Sequence, residues 1–146
     1  MRIARLAALA ALLAAGCAHV PLATKDQDAA VKAFATRPDS ANLYVYRASS
    51  FGSAVKFPVS VDGKLVGSLP GSTFLMVMVA PGPHTVEVQA ESDKNLTFTA
   101  AAGRNHYVKV TPAMGWISAN ANLYLMDDKE TEAQEDVRGC DLIQGR

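Results

Sequence analysis

A chain of 146 residues, 49% hydrophobic and 19% charged, accommodates one domain with one core. Lys and Arg together number 14, as do Asp and Glu, and no basic cluster exists that could track a phosphate backbone. That balance argues against nucleic acid as a partner.

The front of the chain reads as a targeting segment. Arg2 and Arg5 supply a positive n-region, and Leu6 to Ala15 is an uninterrupted Ala/Leu run of h-region length. The run is too short to span a bilayer as a mature helix, and no later run is long and apolar enough to do so. Ala14, Ala15 and Gly16 then place small side chains before Cys17, as a signal peptidase requires. Leu13-Ala14-Ala15-Gly16-Cys17 resembles the bacterial lipobox, with Ala14 where the usual pattern has Leu. The resemblance implies cleavage between Gly16 and Cys17, a diacylglycerol on the Cys17 thiol and an acylated amine. Ala18, standing where Asp would signal retention, implies outer-membrane export by the same resemblance. The expected product is a lipid-anchored envelope protein on the periplasmic face of the outer membrane. Removal of Arg2 and Arg5 leaves 12 basic side chains against 14 acidic ones, a mildly acidic mature chain. A thioether at Cys17 leaves Cys140 as a lone thiol in an oxidising compartment. Burial is the favoured reading for Cys140, with an intermolecular bridge as the alternative.

Residues 17–24 read as a lipidated tether. Thr24-Lys25-Asp26-Gln27 matches a capping box, and Ala29, Ala30, Ala33 and Phe34 fall on one stripe, predicting a short helix over about 25–35. From Asn42 the pattern turns to strands. Leu43 to Arg47 is aromatic and β-branched. Phe57 to Val61 alternates, with Pro58 demoting its first end to an edge. Asp62-Gly63 between two alternating runs predicts a tight hairpin, because the turn needs positive φ at both central residues. Thr73 to Val79 is nearly all apolar, as expected of a strand covered on both faces. His84 to Gln89, Leu96 to Ala100 and His106 to Val110 alternate, and Trp116 to Met126 supplies a further strand or pair. Asp127 to Arg138 is acidic and reads as a short surface helix stopped by Gly139. The chain therefore divides into a signal peptide (1–16), a tether (17–24), a β-domain (25–126) and an acidic C-terminal segment (127–146). The expected fold is mainly β, a small antiparallel β-sandwich with a short N-terminal helix and a short C-terminal one.

Four pieces, Leu43 to Arg47, Val59 to Gly67, Pro81 to Val86 and Ala102 to Val108, stand in an order that resembles the DUF2846 family of bacterial lipoproteins, related in pattern to PEGA-type domains. The resemblance covers about residues 25–125 and implies an all-β sandwich in the envelope, with no activity attached.

No nucleophile elbow, catalytic-Cys signature or Gly-rich phosphate loop occurs, and His19, His84 and His106 stand apart from any ligand at metal spacing. Neither catalytic residue nor cofactor is expected. Arg47 is the most informative single residue. A structural role would have its planar fork cap loop carbonyls or pair an acid such as Asp62 or Glu87, and a recognition role would have it meet an anion or glycan. Tyr44, Tyr46 and Trp116 are candidate binding aromatics whose alternative is the core. The reading is of a non-enzymatic lipoprotein that binds or scaffolds another envelope component. A glycan- or peptidoglycan-binding module is the alternative, and an enzyme the third.

Overall fold

The computed structural model describes residues 19–145, so the targeting segment, Gly16 and Cys17 lie outside the described residues. Helix α1 (Lys25–Val31) precedes strands β1 (Ala41–Arg47), β2 (Phe57–Val61), β3 (Lys64–Leu69), β4 (Thr73–Val79), β5 (Gly82–Val88), β6 (Lys94–Ala100), β7 (Asn105–Met114) and β8 (Ala119–Leu125). A 3-10 turn (Asp127–Lys129), helix α2 (Glu130–Arg138) and strand β9 (Asp141–Leu142) complete the fold. One sheet has the order β8-β7-β1-β4-β9 and the other β3-β2-β5-β6. The fold is thus mainly β, with two packed sheets and a short helix towards each end. Among the described residues, no helix is long and apolar enough to cross a membrane.

The five-stranded sheet departs from a purely antiparallel pattern. β1 pairs β4 antiparallel but β7 parallel, and β4 pairs β9 parallel. Parallel neighbours need a long crossover. Here the chain between β1 and β7 builds β4 and the whole second sheet, and that excursion is the crossover.

β1 is buried along its full length because both of its faces are covered. Leu43 and Val45 point into the sandwich against Val59, Val86 and Val108. Tyr44 and Tyr46 point the other way, into a second core with Phe34, Phe74, Tyr107 and Val137. The Tyr44 ring stacks on Tyr107 at 5.2 Å between centroids and 18° between planes. The architecture therefore has three layers, the third formed by the helical segments lying over the outer face of the larger sheet.

That third layer moves two domain boundaries. Val137, Cys140, Leu142 and Ile143 are buried, so the acidic C-terminal segment is an integral part of the domain and not an appendage after residue 126. Ala133 and Val137, one helical turn apart, form the apolar stripe that the surrounding acids disguise. At the other end, the Ala23 N–H donates to Leu142 O (2.9 Å), the Gln144 N–H to Pro21 O (2.8 Å), and Leu22 bridges Ile143. The segment expected to be a tether is thus stitched to the fold from Pro21 onward.

Thr24 and Gln27 form the capping box, although α1 ends at Val31, short of the expected 35. Phe34 takes φ 54°, which turns its ring into the second core and ends the helical path. Asp62 (φ 51°) and Gly63 (φ 79°) make the tight β2–β3 turn. β2 is an interior strand, but its ladder with β5 begins at Val59, so Pro58 lies outside that ladder. Its carbonyl accepts from the Gln89 N–H just past the end of β5.

Candidate functional site

The aromatic candidates separate. Tyr44 and Tyr46 are buried under the helical layer and offer no face to a ligand. Burial raises both phenolic pKa values, with the Tyr107 hydroxyl adding to it at Tyr44 and the Asp136 charge at Tyr46. Trp116 is 95% exposed. It lies not in a strand but at the tip of the β7–β8 hairpin, after β7 has run past β1.

Arg47 is buried at the end of β1 and, among the described residues, pairs with no acid. Its Nη1 donates to Val55 O (2.7 Å) and Leu69 O (3.4 Å), and its Nη2 to Phe51 O (2.7 Å) and Gly52 O (2.9 Å). Its guanidinium carbon lies 5.0 Å from the centre of the Phe57 ring. Burial lowers its pKa. One planar fork thus shapes the β1–β2 loop, residues 48–56, by its carbonyls.

Glu91 does the converse for the β7–β8 tip. Its carboxylate accepts N–H groups from Trp116 (2.8 Å), Ile117 (2.8 Å) and Ser118 (2.6 Å). Those donors, Ser118 foremost, hold its carboxyl below the usual range. Gly115 lets the carboxylate in, because a Cβ there would strike Ser118 O and Glu91. Two pinned loops therefore present Phe51 (71% exposed), Met114 (88%), Trp116 and Ile117 (90%) at one end of the sandwich, around a shared hollow. In the sequence, Glu91 carries no motif. Only the clustering of Met, Trp and Ile around a Gly marks this tip.

A second surface lies at the side of the sandwich. β4 is covered on both faces only from Thr73 to Leu75, and Met78 is 54% exposed, against the expectation of full burial. The Asn42 N–H points to Arg104 O, away from β4, so Leu43 and Val45 turn theirs towards it. By the same alternation, Phe74, Met76 and Met78 turn their backbone groups away from β1. Phe74 O accepts the Ile143 N–H. Among the described residues, no strand pairs with β4 on that side beyond Phe74. The open edge lines a groove of about 710 Å3, walled opposite by Lys64 and Val66 of β3 and closed at one end by Asp62, Ala80 and His84.

His84 stands 2.6 Å from Asp62 Oδ2 through Nδ1 and 2.6 Å from Ala80 O through Nε2. Both partners can only accept, so both contacts require the imidazolium. Asp62 raises the His84 pKa against partial desolvation, and His84 with the Thr85 N–H lowers that of Asp62. His106 is held similarly through Nδ1, 2.6 Å from Asp127 Oδ2, but its Nε2 accepts the Ala101 N–H (3.0 Å), which fixes the neutral tautomer. In both cases the second Asp oxygen takes the next residue's N–H, Thr85 or Tyr107. Among the described residues, no group of three His, Cys, Asp or Glu could hold a metal ion.

The chain matches the family described as "Protein of unknown function (DUF2846)" over residues 37–123. It belongs to the DUF2846 family. The match begins after α1 and ends within β8, so it covers the sandwich and not the helical layer. An uncharacterized protein of Haemophilus influenzae is 29% identical over 123 residues, spanning 82% of this chain and 73% of the relative. That longer match includes part of the sequence outside the family core. No solved structure matches.

Proposed function

We propose that this DUF2846 protein is a lipid-anchored lipoprotein of the cell envelope, held to the periplasmic face of the outer membrane through Cys17, that binds an extended segment of another envelope protein. The open edge of β4 carries this reading. An exposed strand edge is normally blunted by charge, proline or a bulge. Here the edge residues are Met76, Val77, Met78 and Val79, none of them charged. A partner strand laid along it would gain main-chain hydrogen bonds and apolar contacts from Val66 and Leu75, with Lys64 and Asp62 at the rim. Binding rather than chemistry suits the titratable groups: each imidazole in the two His–Asp pairs already uses both nitrogens. The glycan alternative would rest on Trp116, since Tyr44, Tyr46 and Tyr107 are buried.

A photoreactive amino acid at Met78, in intact cells, tests the reading. The expected result is one discrete adduct, mapped to an extended segment of a single envelope protein. Met78→Lys should diminish partner binding without loss of folding, because it places a charge on the edge. Adducts confined to lipid or glycan, or none, would refute it. The anchor is tested separately: Cys17→Ser should abolish fatty-acid labelling and release the domain from membranes.

A further inference from the structure

The apolar loop end is a separate surface, because its four exposed side chains sit on two loop tips around their own hollow and do not line the β4 groove. We infer that Phe51, Met114, Trp116 and Ile117 enter the lipid interface of the membrane that holds the protein. The inference rests on the reading of Cys17 as lipid-bearing, and the short chain between Cys17 and the fold carries it. The Ala23 and Gln144 bonds and the Leu22 bridge fasten the chain to β9 and the two residues after it, and the described residues begin at His19. One residue, Ala18, separates His19 from Cys17, so their Cα atoms lie at most about 7 Å apart even when fully extended. The lipid is therefore held against the domain, and the surface round His19 has to lie near the headgroups.

That surface includes the β1–β2 loop. His19 shares a hollow with Ser53 and Lys56. Phe51 and Val55, from the same loop, line the hollow that continues to Met114, Trp116 and Ile117. The exit of the chain and the apolar end are thus joined by one loop, whose shape Arg47 sets. β7 runs five residues past Lys109, its last pairing with β1, so the hairpin tip projects roughly 16 Å further.

Three features select a bilayer as the occupant. Trp favours the membrane–water interface, where its ring is part wet and part apolar. Pinning by Glu91 and Arg47 means that the tips need little further ordering on insertion. The lipid on Cys17 supplies the first signal of a two-signal anchor, and apolar tips supply the second without a polybasic patch. Insertion should accordingly occur in zwitterionic vesicles as well as anionic ones.

Trp116 is the only tryptophan, which makes it the reporter. The full-length protein, purified from membranes, is reconstituted into phosphatidylcholine vesicles with or without brominated acyl chains, and its Cys17 peptide is weighed for acylation. The expected result is acylated Cys17, a blue-shifted Trp116 emission and loss of intensity with brominated lipid. A triple variant, Phe51→Ser, Met114→Ser and Ile117→Ser, should stay vesicle-bound through its lipid yet lose the quenching, with its circular dichroism unchanged. Acylated protein whose Trp116 is unquenched overturns the membrane contact and leaves the anchor standing, and a blue shift without quenching does the same by pointing to self-association. Acyl-free protein that is still quenched supports the contact while overturning the anchor, and acyl-free, unquenched protein overturns both.

Discussion

Asp62 grips His84 at the closed end of the β4 groove, 2.6 Å from carboxylate to imidazole, in a geometry that only a charged histidine satisfies. The sign of its pH dependence follows. His84 is raised above 6.5, so its contribution is complete below 6.5 and disappears as pH rises through the raised value. Asp62 is lowered below 3.8, so its contribution is complete above 3.8 and is lost as pH falls through the lowered value. The full tie therefore exists between 3.8 and 6.5. His84→Gln should lower the melting temperature most in that window, and its difference from the parent should shrink towards alkaline pH. A constant difference from about pH 5 to about pH 9 would contradict a charged tie.

What the sequence conveyed was local. The capping box at Thr24, the primed turn at Asp62-Gly63 and the alternation in β5 and β6 are readable because neighbours in the chain decide them. Tyr44 and Tyr46 are ambiguous in the sequence because the layer that covers them comes from outside the strand: Val31 and Phe34 at Tyr44, and α2, more than eighty residues away, at Tyr46. The hydrophobic content of α2 is confined to Ala133 and Val137 among acids, a stripe too thin to announce a packed helix. Arg47 was legible as a capping group by its chemistry, though not by its partners. Glu91 was not legible at all, since its three donors lie more than twenty residues on and are main-chain groups without a sequence signature.

The β2–β3 turn offers the cleanest backbone test. Gly63 has φ 79° and open space where a Cβ would project, so any penalty there comes from backbone conformation and not from a clash. Gly63→Val should destabilise the domain by about 1–3 kcal/mol. An Ala variant should cost less, because a β-branched side chain tolerates positive φ least, and unchanged stability for both would show that the turn does not hold positive φ there. Chemical denaturation with an unchanged m-value is the measurement.

Cys140 should be inert in the native protein. It is buried, its Sγ lies 3.7 Å from Arg47 O, and burial pushes its thiol up to about 12. Little thiolate exists at neutral pH under those conditions, and thiolate is the reactive form. A maleimide reagent should label Cys140 only on unfolding, and non-reducing gels should show monomer. Rapid labelling of the native protein, or a disulfide-linked dimer, would show that the C-terminal strand opens in solution.

Arg47→Lys separates a carbonyl-capping role from a recognition role. The guanidinium serves Phe51, Gly52 and Val55 at once, from two nitrogens held in one plane. A lysine ammonium is a single centre and cannot reach the three carbonyls in that geometry, so acceptors in a part-buried site are left unpaired. Loss of about 2–4 kcal/mol is expected, from roughly 1–3 kcal/mol for each polar group stranded and incomplete relaxation. The loop should loosen with it, exposing residues 48–56 to proteolysis before the rest of the domain unfolds. Because the same loop carries Phe51, reconstituted Arg47→Lys should also show weaker quenching of Trp116 by brominated lipid. A variant as stable as the parent, with its loop intact and its partner capture lost, would reverse the assignment and make Arg47 a recognition residue.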